Sequence, residues 1–216
     1  MSVLCIYCAG GLGRDLLALM QPEDMLHWKE IVFIDDVSTE KVVNQTKVLT
    51  FQELLDRKKD DCEFVILNGE PLYREQLYQK VIKHGFCMGK IIFGSSVSAS
   101  DAVIKEGSII HCQSIISSGA LIQENVFVGK KAMVGHDVTV GKHSVISACS
   151  YVGGWVNIGE ESFIGAGAAI RDRVTIGKRC IIGIGSVVTK DVQDNTVVAG
   201  NPARVLRKND SYKVFE

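Results

Sequence analysis

The sequence predicts two architectures in one chain: an α/β domain of Rossmann-like order over residues 1–90, then an all-β parallel β-helix over residues 91–216. Three observations carry this. An aliphatic residue recurs at every sixth position through the second half, the chain opens as strand, glycine turn and helix, and a second apolar strand ends in paired acids.

Bulk properties set the frame. At 216 residues the chain can bury two modest cores, and 24 Lys+Arg against 25 Asp+Glu give a formal charge of -1. That balance lacks the basic stripe of a nucleic-acid binder. The apolar run at residues 3–9 is too short to span a membrane and lacks a charged leader, so membrane insertion is not expected and the reading is cytoplasmic. Seven scattered cysteines, an odd number without framework spacing, fit a reducing compartment. Cys5 and Cys8 form a C-x-x-C inside an apparent strand. Their side chains then point to opposite faces, and they read as buried thiols rather than as half of a zinc site.

The repeat begins at Ile104. From there through Ile110, Ile116, Ile122 and onward to Ile182 and Val188, every sixth residue is Ile or Val. Two places earlier stands a small residue or Val, as at Ala102, Ser108, Ser114 and Ala120, and glycine often follows the aliphatic, as at Gly129, Gly135 and Gly153. A period of six is neither an α-helical stripe nor a helix-pair solenoid. Each hexad forms one flat side of a triangular coil, its aliphatic inward and its small residue at the corner. Three hexads close a coil of about eighteen residues, and the stretch encodes about five coils stacked as a solenoid.

In the first half, residues 3–7 read as a strand. Ala9-Gly10-Gly11-Leu12-Gly13-Arg14-Asp15 follows as a turn, leading into helix at residues 16–20. Backbone amides in such a turn, with the positive end of the helix dipole, can hold a phosphate; a tight turn without ligand is the other reading. A strand at residues 31–34 ends in Asp35-Asp36, where acids at a strand's carboxyl end face the ligand crevice. Helices are expected at residues 51–58 and 72–84, with a strand at residues 64–67 leading into Asn68-Gly69. Residues 83–93 link the domains, short enough for the two to pack together.

The hexads resemble those of the hexapeptide-repeat acyltransferases, left-handed parallel β-helices, and Gly200-Asn201-Pro202-Ala203-Arg204 is similar to their closing segment. With the preceding α/β unit, the order resembles the sugar acetyltransferases of the NeuD and PglD type. The resemblance implies acetyl-CoA as co-substrate, no metal requirement, and a homotrimer with sites at its interfaces. It implies a nucleotide-sugar held by Gly10, Gly11, Gly13, Asp35 and Asp36, with Arg14 and Asn68 beside them. Cys8 departs from the pattern, since relatives commonly carry glycine there.

Of five histidines, His136 stands out, two places after an inward aliphatic and next to Asp137. Acetyl transfer needs a base for the attacking nucleophile, and histidine titrates nearest working pH, with the acid fixing its tautomer. The pair also matches the H-[DE] element of these relatives; otherwise His136 is a surface turn residue. Gly154, eighteen residues on, should stack above His136, offering its N–H as an oxyanion donor and cover for the thioester, or serving only as a corner. Relatives often carry a second histidine nine residues after the first. Here that place is Val145, read as inward, while His143, two residues earlier at a turn, either substitutes for that histidine or is simply exposed.

CoA is expected along the later coils, past Ala166, Gly167, Ile184 and Gly185, with Lys190 and Arg204 toward its phosphates. The expected activity is N-acetylation of a nucleotide-linked amino-sugar, in the class of UDP-4-amino-4,6-dideoxyhexoses, in glycan assembly. O-acetylation of sialic acid or another sugar is the alternative. A γ-type carbonic anhydrase needs three converging histidines, and His111, His136 and His143 occupy different phases. A non-enzymatic scaffold is the remaining class.

Overall fold

The computed structural model describes residues 2–55 and 61–215. The first half builds β1 (Ser2–Tyr7), α1 (Gly11–Leu19), β2 (Trp28–Ile34), β3 (Val42–Val43), β4 (Thr46–Leu49), α2 (Phe51–Leu55), β5 (Cys62–Ile66), α3 (Pro71–Lys83) and β6 (Cys87–Met88). They form one sheet in the order β3-β4-β2-β1-β5-β6, parallel except for the β3–β4 pair. β1 lies centrally, with Val3 through Tyr7 all buried, so it reads as an unbroken apolar run rather than an alternation. α3 has Pro71 in its first turn and Lys80 and Lys83 in its last, then stops at Gly85, whose φ of 76° suits glycine.

Expected elements fall close to these. Of the helix expected at residues 51–58, only Phe51–Leu55 can be placed, because residues 56–60 lie outside the described residues. The expected link is more structured than its composition suggests: β6 extends the sheet inside it, and Ile91–Ile92 already belongs to the first coil.

The second half is a left-handed parallel β-helix with three faces. The first face stacks Ile91–Ile92, Ile109–Ile110, Phe127–Val128, Val145–Ile146, Phe163–Ile164 and Ile181–Ile182. The second stacks Val97–Ser98, Ile115–Ile116, Met133–Val134, Tyr151–Val152, Ala169–Ile170 and Val187–Val188, and the third Val103–Ile104 through Thr175–Ile176. Pairings such as Ile109↔Phe127↔Val145↔Phe163 advance by one eighteen-residue coil at each step. The second residue of each strand points inward, and from Ile110 to Ile182 these stacked aliphatics form one continuous core. Corner serines serve as clips: Ser108, Ser144 and Ser162 each donate a hydroxyl to a carbonyl of the next coil, at 2.7, 3.0 and 2.8 Å.

The first face is covered by the α/β domain, where Ile109, Phe127 and Val145 join Leu4, Ile6, Leu16, Phe33 and Val65 in a shared core. This corrects the inward placement of Val145: Ile146 is the inward residue, and Val145 is buried from outside by the other domain. A polar network reinforces the junction. Arg74 of α3 is fully buried, and all five of its N–H groups are used: Nε on Asn125 O, Nη1 on Ile66 O and Asn68 O, Nη2 on Asn125 O and Oδ1. Asn125 Nδ2 lies 3.0 Å from His143 Nδ1, and the His143 ring meets Tyr78 edge-on at 5.1 Å. His143 is therefore buried at the junction, not exposed at a turn.

The second face has no such cover. Its outward residues Val97, Ile115, Met133 and Tyr151 form an exposed apolar ladder.

Candidate active site

The corner between the second and third faces brings His136 and Asp137 together with Gly154. His136 Nδ1 lies 2.9 Å from Asp137 Oδ2, so Nδ1–H donates to the carboxylate, which fixes that tautomer and leaves the Nε2 lone pair free to act. Both side chains are about half exposed, at 48% and 52%. One coil on, Gly154 meets the ring as the eighteen-residue count predicts: a Cβ there would lie 2.6 Å from His136 Nε2, so only glycine admits the imidazole.

The N–H of Gly154 is not free, however. It donates to Asp172 Oδ1 at 3.0 Å, which corrects its expected use as an oxyanion donor. Asp172 stands a further eighteen residues along the same corner, so the count that found Gly154 also pointed to it. Trp155 and Arg173, one coil beyond Asp137 and two, complete this rung: Trp155 contacts His136 edge-on at 4.2 Å, and Arg173 lies 4.1 Å over the Trp155 ring.

The residues expected to hold CoA fall at separate places. Ala166, Gly167, Ile184 and Gly185 stack on the corner between the first and second faces, where Gly167 and Gly185 take positive φ and face open space. Lys190 and Arg204 border a cavity of about 640 Å³ at the carboxyl end of the β-helix, together with Arg207 and Lys208. Within one chain these groups do not converge, nor do the first-corner residues meet His136.

In the α/β domain, α1 begins at Gly11, with Gly10 at its N-cap and no capping side chain. Gly10 and Gly11 face open space. Gly13 is required, since a Cβ there would clash with Cys8 O at 2.3 Å. Cys8 itself takes a φ of 81°, a backbone conformation that favours glycine. It is only partly buried, unlike Cys5, and burial pushes its thiol up to about 11.

The acidic pair is tied down by the protein. Asp35 accepts the amides of Ala9, Val37 and Ser38, each at 2.9 Å. Asp36 accepts the Tyr7 hydroxyl at 2.5 Å, Lys80 Nζ at 2.8 Å and the Phe51 amide at 2.8 Å. Burial alone would raise the Asp36 pKa, but these hydrogen bonds hold it below the usual carboxylate range. Expected as free acceptors, both carboxylates instead shape the rim of a cavity of about 280 Å³, with Cys8 and Asn68 and with Tyr73 and Leu77, which the sequence did not single out. Asn68 spends its Oδ1 on the Glu70 amide, and Arg14 is exposed on the first turn of α1. The cavity lies beyond the carboxyl ends of β1 and β5, where strand order reverses, the usual ligand site of such sheets.

His111, His136 and His143 stand on three different corners of the prism and do not converge. No described helix is long and apolar enough to cross a membrane.

This combination of a hexad β-helix, a corner His/Asp pair under a glycine, and an α/β cap defines an acyltransferase of the hexapeptide class. The profile of the bacterial transferase hexapeptide family (six repeats) matches residues 119–154 and 156–190. The acetyltransferase domain of PglB from Neisseria gonorrhoeae FA1090, in complex with acetyl coenzyme A, superposes with TM-score 0.87 at 30% identity, covering 94% of this chain and 98% of that one. PerB from Caulobacter crescentus, in complex with CoA and GDP-perosamine, shares the fold with TM-score 0.86 at 24% identity over 96% and 98% of the two chains. WeeI from Acinetobacter baumannii AYE does so with TM-score 0.86 at 24% identity over 95% and 100%. A sequence search of curated proteins finds no match. The chain belongs to the hexapeptide-repeat sugar acetyltransferases of the PglD and NeuD type.

Proposed function

We propose that the chain transfers acetyl from acetyl-CoA to the amine of a nucleotide-linked amino-sugar, in the class of UDP-4-amino-4,6-dideoxyhexoses. The observation that carries this is the His136 ring: its Nδ1 is held by Asp137, and Gly154 one coil on makes room for its Nε2. Nε2 takes the proton from the amine as nitrogen attacks the thioester carbon, Asp137 supports the imidazolium, and as the C–S bond breaks the imidazolium returns that proton to the departing sulfur, so that CoA leaves as thiol.

The α/β domain, residues 1–90, holds the nucleotide, and the β-helix, residues 91–216, carries the transfer. The nucleoside lies in the Tyr7–Tyr73 cavity and the diphosphate at Gly10 and Gly11, where α1 offers uncapped amides. The acetyl-CoA complex of the gonococcal relative supports the choice of donor. A homotrimer resolves the separation of the CoA residues: the apolar second face pairs with a neighbour, so that Ala166, Gly167, Ile184 and Gly185 of one chain oppose the His136 corner, Lys190 and Arg204 of the next. The setting we infer is cytoplasmic.

Thiol release from acetyl-CoA, measured against a panel of nucleotide-linked amino-sugars and sialic acid, tests the reading. An amino-sugar is expected to be consumed, and His136→Ala to lower kcat by about 10²–10⁴-fold while acetyl-CoA still binds. An unchanged kcat removes His136 as the base, and consumption of sialic acid alone replaces the acceptor.

A further inference from the structure

The corner that carries His136 is built from larger residues than a turn requires. Asp137, Trp155 and Arg173 follow one another at the coil repeat, and each takes a left-handed conformation, with φ of 56°, 56° and 63°. Asn or Gly enters such a turn at least cost, as Asn125 and Gly167 do at other corners, whereas a bulky side chain is strained there. Trp155 is also half exposed. An indole that is strained at its backbone and half in water gains less for folding than a core residue does, and strain of this kind directs attention to the neighbouring chemistry.

Coil order places the indole between two groups, one coil after Asp137 and one coil before Arg173. On one side its ring stands at 87° to the His136 imidazole, with centroids 4.2 Å apart. On the other, the guanidinium carbon of Arg173 lies 4.1 Å from the ring centre. Among the described residues Arg173 pairs with no carboxylate, so the indole face is what its cation rests on. The main chain ties the same levels together: the Trp155 amide donates to His136 O and the Arg173 amide to Gly154 O, each at 2.9 Å.

The imidazole thus has three contacts. Asp137 accepts from Nδ1–H, the Gly154 backbone lies against the Nε2 edge, and the indole stands against the ring. A half-exposed side chain held by one hydrogen bond samples other rotamers, and contact with the indole removes them. When His136 takes up a proton, the imidazolium is further attracted to the electron-rich indole.

We propose that Trp155, braced by Arg173, is a positioning residue that holds His136 in the rotamer with Nδ1 on Asp137 and Nε2 toward the acceptor amine. The assignment rests on the reading of His136 as the base. It extends that base to a column of three coils, in which Asp137 fixes the tautomer, Trp155 the rotamer and Arg173 the indole.

The test follows thiol release from acetyl-CoA with the nucleotide-linked amino-sugar that wild type consumes fastest. Trp155→Asn removes the indole but keeps a residue suited to the left-handed turn, Trp155→Phe restores a ring, and Arg173→Met removes the cation. Trp155→Asn should lower kcat about tenfold with Tm and both KM values nearly unchanged. Trp155→Phe should recover most of that rate, and Arg173→Met should lower kcat about threefold. In a His136→Ala background, Trp155→Asn should lower the residual rate no further, because a residue that acts through the ring has nothing left to act on. An unchanged kcat in Trp155→Asn overturns the positioning role, as does a loss confined to KM, a failure of phenylalanine to restore the rate, or an equal loss in the His136→Ala background. Full kcat in Arg173→Met overturns the brace. An unchanged kcat in His136→Ala, or a wild type that consumes no amino-sugar, overturns the functional reading and this role with it. Loss in His136→Ala beside full activity in Trp155→Asn overturns only the role of the indole.

Discussion

His136 and Gly154 touch so closely that the space between them admits no methyl group. A Cβ at position 154 would stand 2.6 Å from Nε2, with Trp155 against the ring on another side at 4.2 Å. Gly154→Ala is therefore expected to displace the imidazole without disturbing the coil, lowering kcat about 100-fold with Tm and the acetyl-CoA KM nearly unchanged. Steady-state kinetics beside a thermal melt checks this, and an unaltered kcat would show that the ring has another productive position. This contact was legible in the sequence because coil length converts spacing into stacking. The same count reached Asp172, but spacing does not say which donor a carboxylate will take, and here it takes the Gly154 amide. Asp35 and Asp36 fail for the same reason. Acids at strand ends are visible in the sequence, whereas the choice between a ligand and the loop's own amides depends on side-chain rotamer.

At the scale of an element, α3 shows where pattern reading stops. Its residues read as a helix, but a charged side chain at full burial runs against the amphipathic pattern, and the partners of Arg74 at Asn125 lie 51 residues away. No local signal announces such a pairing. Burial lowers the Arg74 pKa to about 9, so at neutral pH a cation sits at the junction with carbonyls and an amide oxygen as its hydrogen-bond acceptors. Arg74→Met leaves those acceptors without donors and is expected to cost about 3 kcal/mol by urea denaturation. Loss of hydrogen-exchange protection should begin in α3 and the first face rather than in the prism core. Arg74→Lys should recover little of it, because three ammonium protons cannot reproduce the five-donor fork. Full recovery by lysine would show that charge, not geometry, holds the junction.

For the molecule as a whole, the hexads made the β-helix legible from composition and spacing alone. How the two domains join was not, since Val145, His111 and His143 become junction residues only when the α/β sheet covers the first face. That covering makes the junction sensitive to acid. Burial lowers both His111 and His143 to about 4, assisted by the neighbouring cations Lys130 and Arg74 respectively. An unfolded chain protonates the same residues near pH 6.5. Between these values the unfolded state binds more protons than the folded one, so stability is complete above about pH 6.5 and declines as pH falls toward 4. Each histidine contributes at most about 3 kcal/mol to that decline. Thermal melts from pH 7.5 to 4.5 should show Tm falling through this window, and the double variant His111→Phe, His143→Phe should lose most of the slope even if its Tm at neutral pH is lower. A slope that survives in the double variant would place the acid sensitivity elsewhere, because these are the two histidines that the domain junction holds neutral.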